Sequence, residues 1–305
     1  MYLGLDTSNY TTSAAAFCAD HARNVSRLLD VKEGQLGLRQ SDALFMHTKR
    51  LPEIVRELFR DMPLQQIRAV AASTRPRAVE GSYMPCFLAG ESLGRCAASM
   101  LGVPFYSFSH QQGHIAASLW SSNRLDLLQQ PHLAWHLSGG TTELLLVEPD
   151  GKNVRADRIG GTTDISAGQV IDRTGKLLGL PFPSGKHLDH AAKSSVCAER
   201  FSVKLKGLEF SLSGLENKIA AYGDDNSPED TASYALNSVI DVIFRATKAA
   251  RKEYPGLEIV FSGGVASNSR LRESCSVFSP VFAAPEFSTD NAMGIAVLCS
   301  MQEAE

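Results

Sequence analysis

The sequence predicts an α/β protein of two lobes with duplicated topology, on three observations. Apolar strands run three times into a short polar or glycine turn. Segments of helical periodicity lie between them. The 305 residues also exceed the size at which one hydrophobic core usually stops growing. The turns lie more than a hundred residues apart, a spacing that suits a duplicated nucleotide-binding architecture better than a short tandem repeat.

The first turn lies in "MYLGLDTSNYTTSAAAFC", a short strand, a polar turn and a second strand rich in small residues, which is a hairpin pattern. "ALFMHTKRLPEIVRELFRDM" follows with apolar positions at helical spacing. "HLAWHLSGGTTELLLVEPDG" repeats strand, turn and strand around Ser138-Gly139-Gly140, and "LEIVFSGGVASNSRLRES" sends a strand through Ser262-Gly263-Gly264 into a helix-like segment. Between them, "TASYALNSVIDVIFRATKAARKEY" is helical by period. Residues from about 157 to 222 are richer in Gly, Ser and charge and read as an inserted helical subdomain, with "LPFPSGK" as a sharp turn at a helix end. "EFSTDNAMGIAVLCSM" reads as a loop feeding a buried helix, with Asp290 at the start, where a cap is favoured. The expected division is an N-terminal lobe over 1–115 and a C-terminal lobe over 116–305 that carries the insertion.

Composition is that of a soluble globular chain, 44% hydrophobic and 21% charged. A net charge of −3 gives no global basic signal, so any nucleic acid must be held by a local patch, for which Lys49, Arg75 and Arg77 are candidates, or by partner proteins. Six scattered cysteines without a CxxC pair point neither to a zinc ribbon nor to a disulfide framework. The N-terminus lacks the pattern of a signal peptide and no apolar run is long enough to span a bilayer, so a cytoplasmic protein without a membrane role is expected.

Two features carry chemistry. A Ser-Gly-Gly turn after a strand presents consecutive backbone N–H groups with no Cβ in the way, so a phosphate can approach. Two such turns would face each other across a cleft if the halves shared a fold. There is no P-loop lysine signature and no GxGxxG. The second feature is "SHQQGHIAAS", where His110 and His114 fall on one face of a helix. They are either two ligands of one ion or two polar residues sharing a face. Glu is absent from position 111, so the HExxH pattern of a metalloprotease is not met. Asp172 and Lys176 are spaced as a surface ion pair, and an acidic residue at that point could equally hold a ribose hydroxyl. His132, His136, His187 and His190 show no ligand spacing.

These pieces, with "AGQVIDRTGKLLGLPFPSG", "FSLSGL" at Phe210 to Leu215 and "STDNAMGIAV", stand in the order and spacing of the TsaD family, the tRNA threonylcarbamoyladenosine transferases formerly described as O-sialoglycoprotein endopeptidases. The resemblance covers nearly the whole chain. It implies the actin-like, sugar-kinase-like ATPase fold with a nucleotide cleft between two lobes. It also implies an iron or zinc ion on His110, His114 and Asp290. By the same resemblance Ser138, Gly139, Gly140, Gly263 and Gly264 line the phosphate path of ATP or a carbamoyl-adenylate, and Asp172, Gly185 and Asn268 hold the nucleoside. Asn9, Thr11 and Ser138 stand at the positions expected to handle the acyl group.

The chain departs from the family pattern in several places. "DTSNYTT" stands for E-T-S-C-D-D-T, so Asn9, Tyr10 and Thr11 replace a Cys and two Asp. Thr141 replaces a His, Gln169 replaces a Glu, and "RPRAVEGSYMPC" replaces a G-P-G-L turn. The implied function is transfer of a (threonyl)carbamoyl group from an adenylate to N6 of the tRNA adenosine beside the anticodon, in a protein complex or homodimer. The alternatives are a non-catalytic nucleotide-binding subunit and a carbamoyltransferase with a non-tRNA acceptor.

Overall fold

The structure is a computed structural model that describes residues 1–8, 10–18, 21–30, 38–287 and 290–303. The chain divides into two compact units: residues 1–130, 148–156 and 286–305 form the first, and residues 131–147 and 157–285 the second.

The first unit opens with β1 (Tyr2–Asp6), β2 (Thr11–Phe17), β3 (Ala22–Leu28), α1 (Gln40–Leu58), β4 (Ala69–Arg75), α2 (Phe87–Leu101), β5 (Phe105–Ser109) and α3 (His110–Ser121). Its sheet runs β3-β2-β1-β4-β5. β1 and β2 form the expected antiparallel hairpin, with Asp6 opposite Ser13. β4 and β5 add in parallel, so the C-terminal ends of β1, β4 and β5 meet at one edge. α1 buries His47, Leu51, Ile54 and Leu58, a helical stripe against Leu3, Leu5 and Val70 of the sheet. Each such aliphatic side chain, fully buried, contributes about 1.5–3 kcal/mol.

In the second unit follow β6 (His132–Leu137), β7 (Thr142–Asp150), β8 (Asn153–Thr162), α4 (Ala167–Leu177), α5 (Gly185–Lys193), β9 (Leu205–Lys206), β10 (Glu209–Phe210), α6 (Ser213–Gly223), α7 (Pro228–Glu253), β11 (Glu258–Ser262), α8 (Ser269–Cys275) and β12 (Val281–Phe282). The tip of the β7–β8 hairpin, residues 148–156, groups with the first unit. The second sheet runs β12-β11-β6-β7-β8-β10-β9. Its segment β8-β7-β6-β11-β12 repeats the first sheet: β6 and β7 are antiparallel, β11 adds to β6 in parallel, and β12 adds to β11 in parallel. This is the duplicated topology the strand-and-turn pattern predicts. Residues 163–223 contribute α4, α5, the small strands β9 and β10 and α6, and Leu188, Leu208 and Leu215 join Trp135, Phe261 and the buried face of α7 in one core. The buried Trp135 indole N–H donates to Thr247 Oγ1 at 2.9 Å, so the largest side chain of that core leaves no polar atom unpaired.

The chain then returns to the first unit with α9 (Met293–Glu303). α9 lies on α3 at Gly294, where a Cβ would stand 1.8 Å from the Gly113 carbonyl oxygen and 2.7 Å from the Ala117 nitrogen. Only a residue without a side chain permits that approach. The crossing brings the residues before α9 to the first turn of α3.

Candidate functional site

α3 starts where it does because Ser109 caps it. The Ser109 Oγ accepts from the Gln112 backbone N–H, and Gln112 Oε1 accepts from the Ser109 N–H at 2.8 Å, which is a complete capping box. Gln112 Nε2 further donates to the Val154 carbonyl at 2.8 Å. A helix fixed at that residue projects His110 and His114 from one face. Their Nε2 atoms stand 2.9 Å apart. Asp290 Oδ1 lies 3.5 Å from His110 Nε2 and 3.3 Å from His114 Nε2. The three residues sequence reasoning put forward as ligands therefore converge, and their donor atoms all lie within 4.8 Å of one another.

Asp290 reaches this place differently from the expectation. α9 begins at Met293, not beside Asp290, and the Met293 N–H is taken by Asn291 Oδ1 at 3.0 Å. Asp290 is thus free of capping duty and turns toward the histidines. Thr11, the first residue of β2, donates its hydroxyl to Asp290 Oδ2 at 3.4 Å. Asn9 lies outside the described residues.

One further carboxylate completes the cluster. Asp6, fully buried at the end of β1, has Oδ1 3.0 Å from His110 Nδ1. It also accepts from Ser73 of β4 and, through Oδ2, from Ser8 at 2.9 Å. Burial by itself would lower the His110 pKa. The charge of Asp6 and the hydrogen bonds to Asp290 and Asp6 outweigh it and raise the group to about 10. Burial likewise works against ionisation of Asp290, but its hydrogen bonds to His110 and His114 hold it well below the usual carboxylate range. Two ionised carboxylates beside the ring make a pocket that favours a cation, and an ion bound here would take the place of the proton on His110 Nε2. Spacings of 2.9–3.5 Å are those of donors on one ion with bonds of about 2.0–2.2 Å. Two imidazoles and a carboxylate are a donor set suited to zinc or non-haem iron, with positions left open. The side chains of His110, His114 and Asp290 are 20%, 11% and 31% exposed, so the donors are reachable.

The residues expected to hold the nucleotide lie in the second unit. The two Ser-Gly-Gly turns follow β6 and β11, which are parallel neighbours pairing His136 with Ser262. The turns therefore sit side by side at one sheet edge. They do not face each other across a cleft as first expected, because both belong to the same copy of the repeated topology. Ser138 closes its turn on Thr141, its N–H donating to the Thr141 carbonyl at 2.8 Å and its Oγ accepting from the Thr141 N–H at 3.0 Å. Gly139 and Gly140 are exposed, with open space where a side chain would be. Gly263 has φ +92°, and a Cβ there would stand 2.2 Å from the Leu137 carbonyl oxygen. Gly264 is exposed. The α4 cap folds onto the first turn: Ser166 Oγ donates to the Gly139 carbonyl at 2.6 Å and Gln169 Oε1 accepts from the Ser166 N–H at 3.0 Å. The cap needs an acceptor and no charge at position 169, which is why Gln serves.

Asp172, on α4, accepts from the Ser184 N–H at 2.8 Å and so fixes the start of α5 at Gly185. Burial pushes its carboxyl pKa up. Asn268 uses both ends of its amide. Oδ1 caps α8 through the Leu271 N–H at 3.0 Å, and Nδ2 donates to Asp189 at 2.9 Å. Sequence reasoning missed Asp6, Asp189 and Asp164. Asp164 accepts from the Leu212 N–H at 2.8 Å and from Ser211, holding the loop before α6 to the end of β8. Asp6 opens the "DTSNYTT" turn, but its role depends on partners far away in sequence, and Asp164 and Asp189 have no neighbour in sequence that marks them.

Comparison with known proteins agrees with this architecture. In folded shape the chain resembles HypF in its phosphate- and nucleotide-bound form, with TM-score 0.62 and 15% identity over 100% of this chain and 47% of that one. It also resembles the Acidaminococcus fermentans (R)-2-hydroxyglutaryl-CoA dehydratase component A, with TM-score 0.56 and 14% identity over 100% and 99%. It spans about half of the HypF chain, and at such identities the likeness is one of fold: the protein has the actin-like ATPase fold. Among curated sequences, the tRNA N6-adenosine threonylcarbamoyltransferase of Kosmotoga olearia is 37% identical over 75% of this chain and 70% of its own. That of Rhizobium etli strain CIAT 652 is 33% identical over 96% and 86%. The family model TsaD, tRNA N6-adenosine threonylcarbamoyltransferase, matches residues 34–297. The chain belongs to the TsaD family, and the two relatives above bear the name of an acyltransferase.

Proposed function

We propose that this chain is a metal-dependent acyltransferase that takes a (threonyl)carbamoyl group from an adenylate, formed from ATP, to N6 of a tRNA adenosine. The convergence of His110, His114 and Asp290 on one point is the observation that supports this best. These residues would hold one iron or zinc ion, which when bound would polarise the acyl carbonyl as a Lewis acid. The bare amides of Gly139, Gly140, Gly263 and Gly264 would hold the phosphate, with Ser138 keeping the turn closed. Asp172 would order Gly185 and the start of α5 for the nucleoside. Asn268 would act through Asp189 rather than by direct contact, since both ends of its amide are occupied. Thr11 would orient Asp290. With a net charge of −3, tRNA would be held with the help of partner proteins or a second copy of the chain, and Arg75 and Arg77 are candidate phosphate contacts. No described helix is long and apolar enough to cross a membrane, and the cytoplasm, where tRNA is, is the proposed location.

Incubation with ATP, threonine, bicarbonate and the enzyme that makes the adenylate, followed by mass spectrometry of nucleosides from unmodified tRNA, tests the reading. The modified adenosine should form with the wild type and fail with Asp290→Ala. Adenylate binding without modified tRNA would favour the second reading, a subunit or a carbamoyltransferase with another acceptor. Its motivation is the first turn, where Thr11 carries a hydroxyl in place of the family's carboxylate.

A further inference from the structure

We propose that Asp6 is a positioning residue of the metal centre: its carboxylate binds the Nδ1–H of His110 and so presents Nε2 of that ring toward His114 and Asp290. The inference rests on the metal reading of the triad given above.

The geometry admits one proton arrangement on this edge of the ring. A carboxylate oxygen only accepts, so at 3.0 Å from Asp6 Oδ1 the Nδ1 of His110 must carry the hydrogen. Nε2, on the opposite edge, is the atom 2.9 Å from His114 and 3.5 Å from Asp290. Asp6 is not itself one of the converging donors. It stands behind the ligand, where a carboxylate fixes the tautomer and orientation of an imidazole and increases its basicity.

Asp6 is in turn held in place. It is fully buried, and a buried carboxylate is unfavourable unless paired and hydrogen-bonded. Ser8 from the following turn and Ser73 from β4 both donate to it. Neutral hydroxyls orient a carboxylate without balancing its charge; the Nδ1–H of His110 adds a third hydrogen bond at 3.0 Å, and a cation held on the far side of that ring would balance the charge. The fold supplies the meeting point. β1, β4 and β5 end at one edge, placing Asp6, Ser73 and the Ser109–His110 junction side by side although they are far apart in sequence.

The test uses the full chain, stripped with chelator and titrated with Co²⁺, whose visible absorption reports ligand geometry. Wild type, Asp6→Asn, Asp6→Ala and Asp6→Glu are compared for Co²⁺ affinity and spectrum, with circular dichroism and thermal unfolding of each metal-free sample. The wild type should take up about one equivalent. Asp6→Asn and Asp6→Ala should bind about 10–100-fold more weakly with a shifted spectrum. Asp6→Glu, which restores a carboxylate, should recover part of the affinity. If Asp6→Ala does not fold, Asp6→Asn, nearly equal in volume, decides the matter. Wild-type affinity and spectrum in Asp6→Asn would overturn the positioning role and leave the triad standing. A wild type that takes up no Co²⁺ would overturn both.

Discussion

The ends of β1 and β6 occupy equivalent places in two copies of one topology, yet they are furnished in opposite ways. At the end of β1, Asp6 is surrounded by side chains from β4, α3 and the segment before α9, and the converging polar atoms are those of carboxylates and imidazoles. At the end of β6 and its neighbour β11, side chains are missing, and Gly139, Gly140 and Gly264 present open backbone. Side chains that converge suit a cation, which needs donor atoms at fixed short distances. Bare amides suit an anion, which needs close approach of N–H groups. One duplicated scaffold thus offers a cation site and an anion site through what is attached to the same strand ends.

The strongest way to break the first of these is to part α3 from α9. Gly294→Ala places a methyl 1.8 Å from the Gly113 carbonyl oxygen, and the helices must separate. We expect a loss of about 3 kcal/mol, seen as a lower unfolding temperature, together with loss of metal retention, because Asp290 moves with α9. Gly263→Ala is the counterpart in the second unit. It combines a φ of +92° with a Cβ 2.2 Å from the Leu137 carbonyl oxygen, at a cost of about 2–3 kcal/mol. Adenylate affinity by calorimetry should fall while bound metal stays at the wild-type level. Equal loss of metal in both variants would mean that the two strand-end sites are not separable.

A smaller effect sharpens the picture of the first unit under acid. His47 on α1 is buried, with Nδ1 2.8 Å from Thr12 Oγ1 and Nε2 without a partner. Burial, aided by the nearby Arg50 charge and opposed by Asp6, lowers its pKa from 6.5 to about 4. The unfolded chain therefore binds this proton at higher pH than the folded one, and stability falls as pH drops from about 6.5 to 4, levelling off below. The loss is on the order of 2 kcal/mol. Denaturant unfolding at a series of pH values should show the slope in wild type and a flatter profile in His47→Gln. The smallest effect is expected for Thr11→Val, which removes one long hydrogen bond to Asp290; metal affinity should weaken a few-fold, about 1 kcal/mol or less, by chelator competition.

The sequence made the fold legible because each strand-and-turn unit is local: an apolar strand, a polar or glycine turn and the segment that follows lie within twenty residues. The histidine pair was legible for the same reason, since a spacing of four is a property of one helix. Asp6 was not. Its partners Ser73 and His110 are 67 and 104 residues away, and only strand order brings them together. The side-by-side arrangement of the two Ser-Gly-Gly turns was hidden likewise, because it depends on β11 pairing with β6 rather than on either turn. Asp290 could be read as a ligand through the family pattern, while its local sequence resembled a helix cap three residues ahead of the actual helix start.

The most direct measurement is the metal content of the purified full chain by elemental analysis, beside His110→Ala and Asp290→Ala prepared in the same way. About one iron or zinc per chain, lost in both variants while circular dichroism stays unchanged, is the expected result. A wild type that neither carries nor takes up iron or zinc after reloading, with its fold intact, would contradict the reading of this cluster as a metal centre.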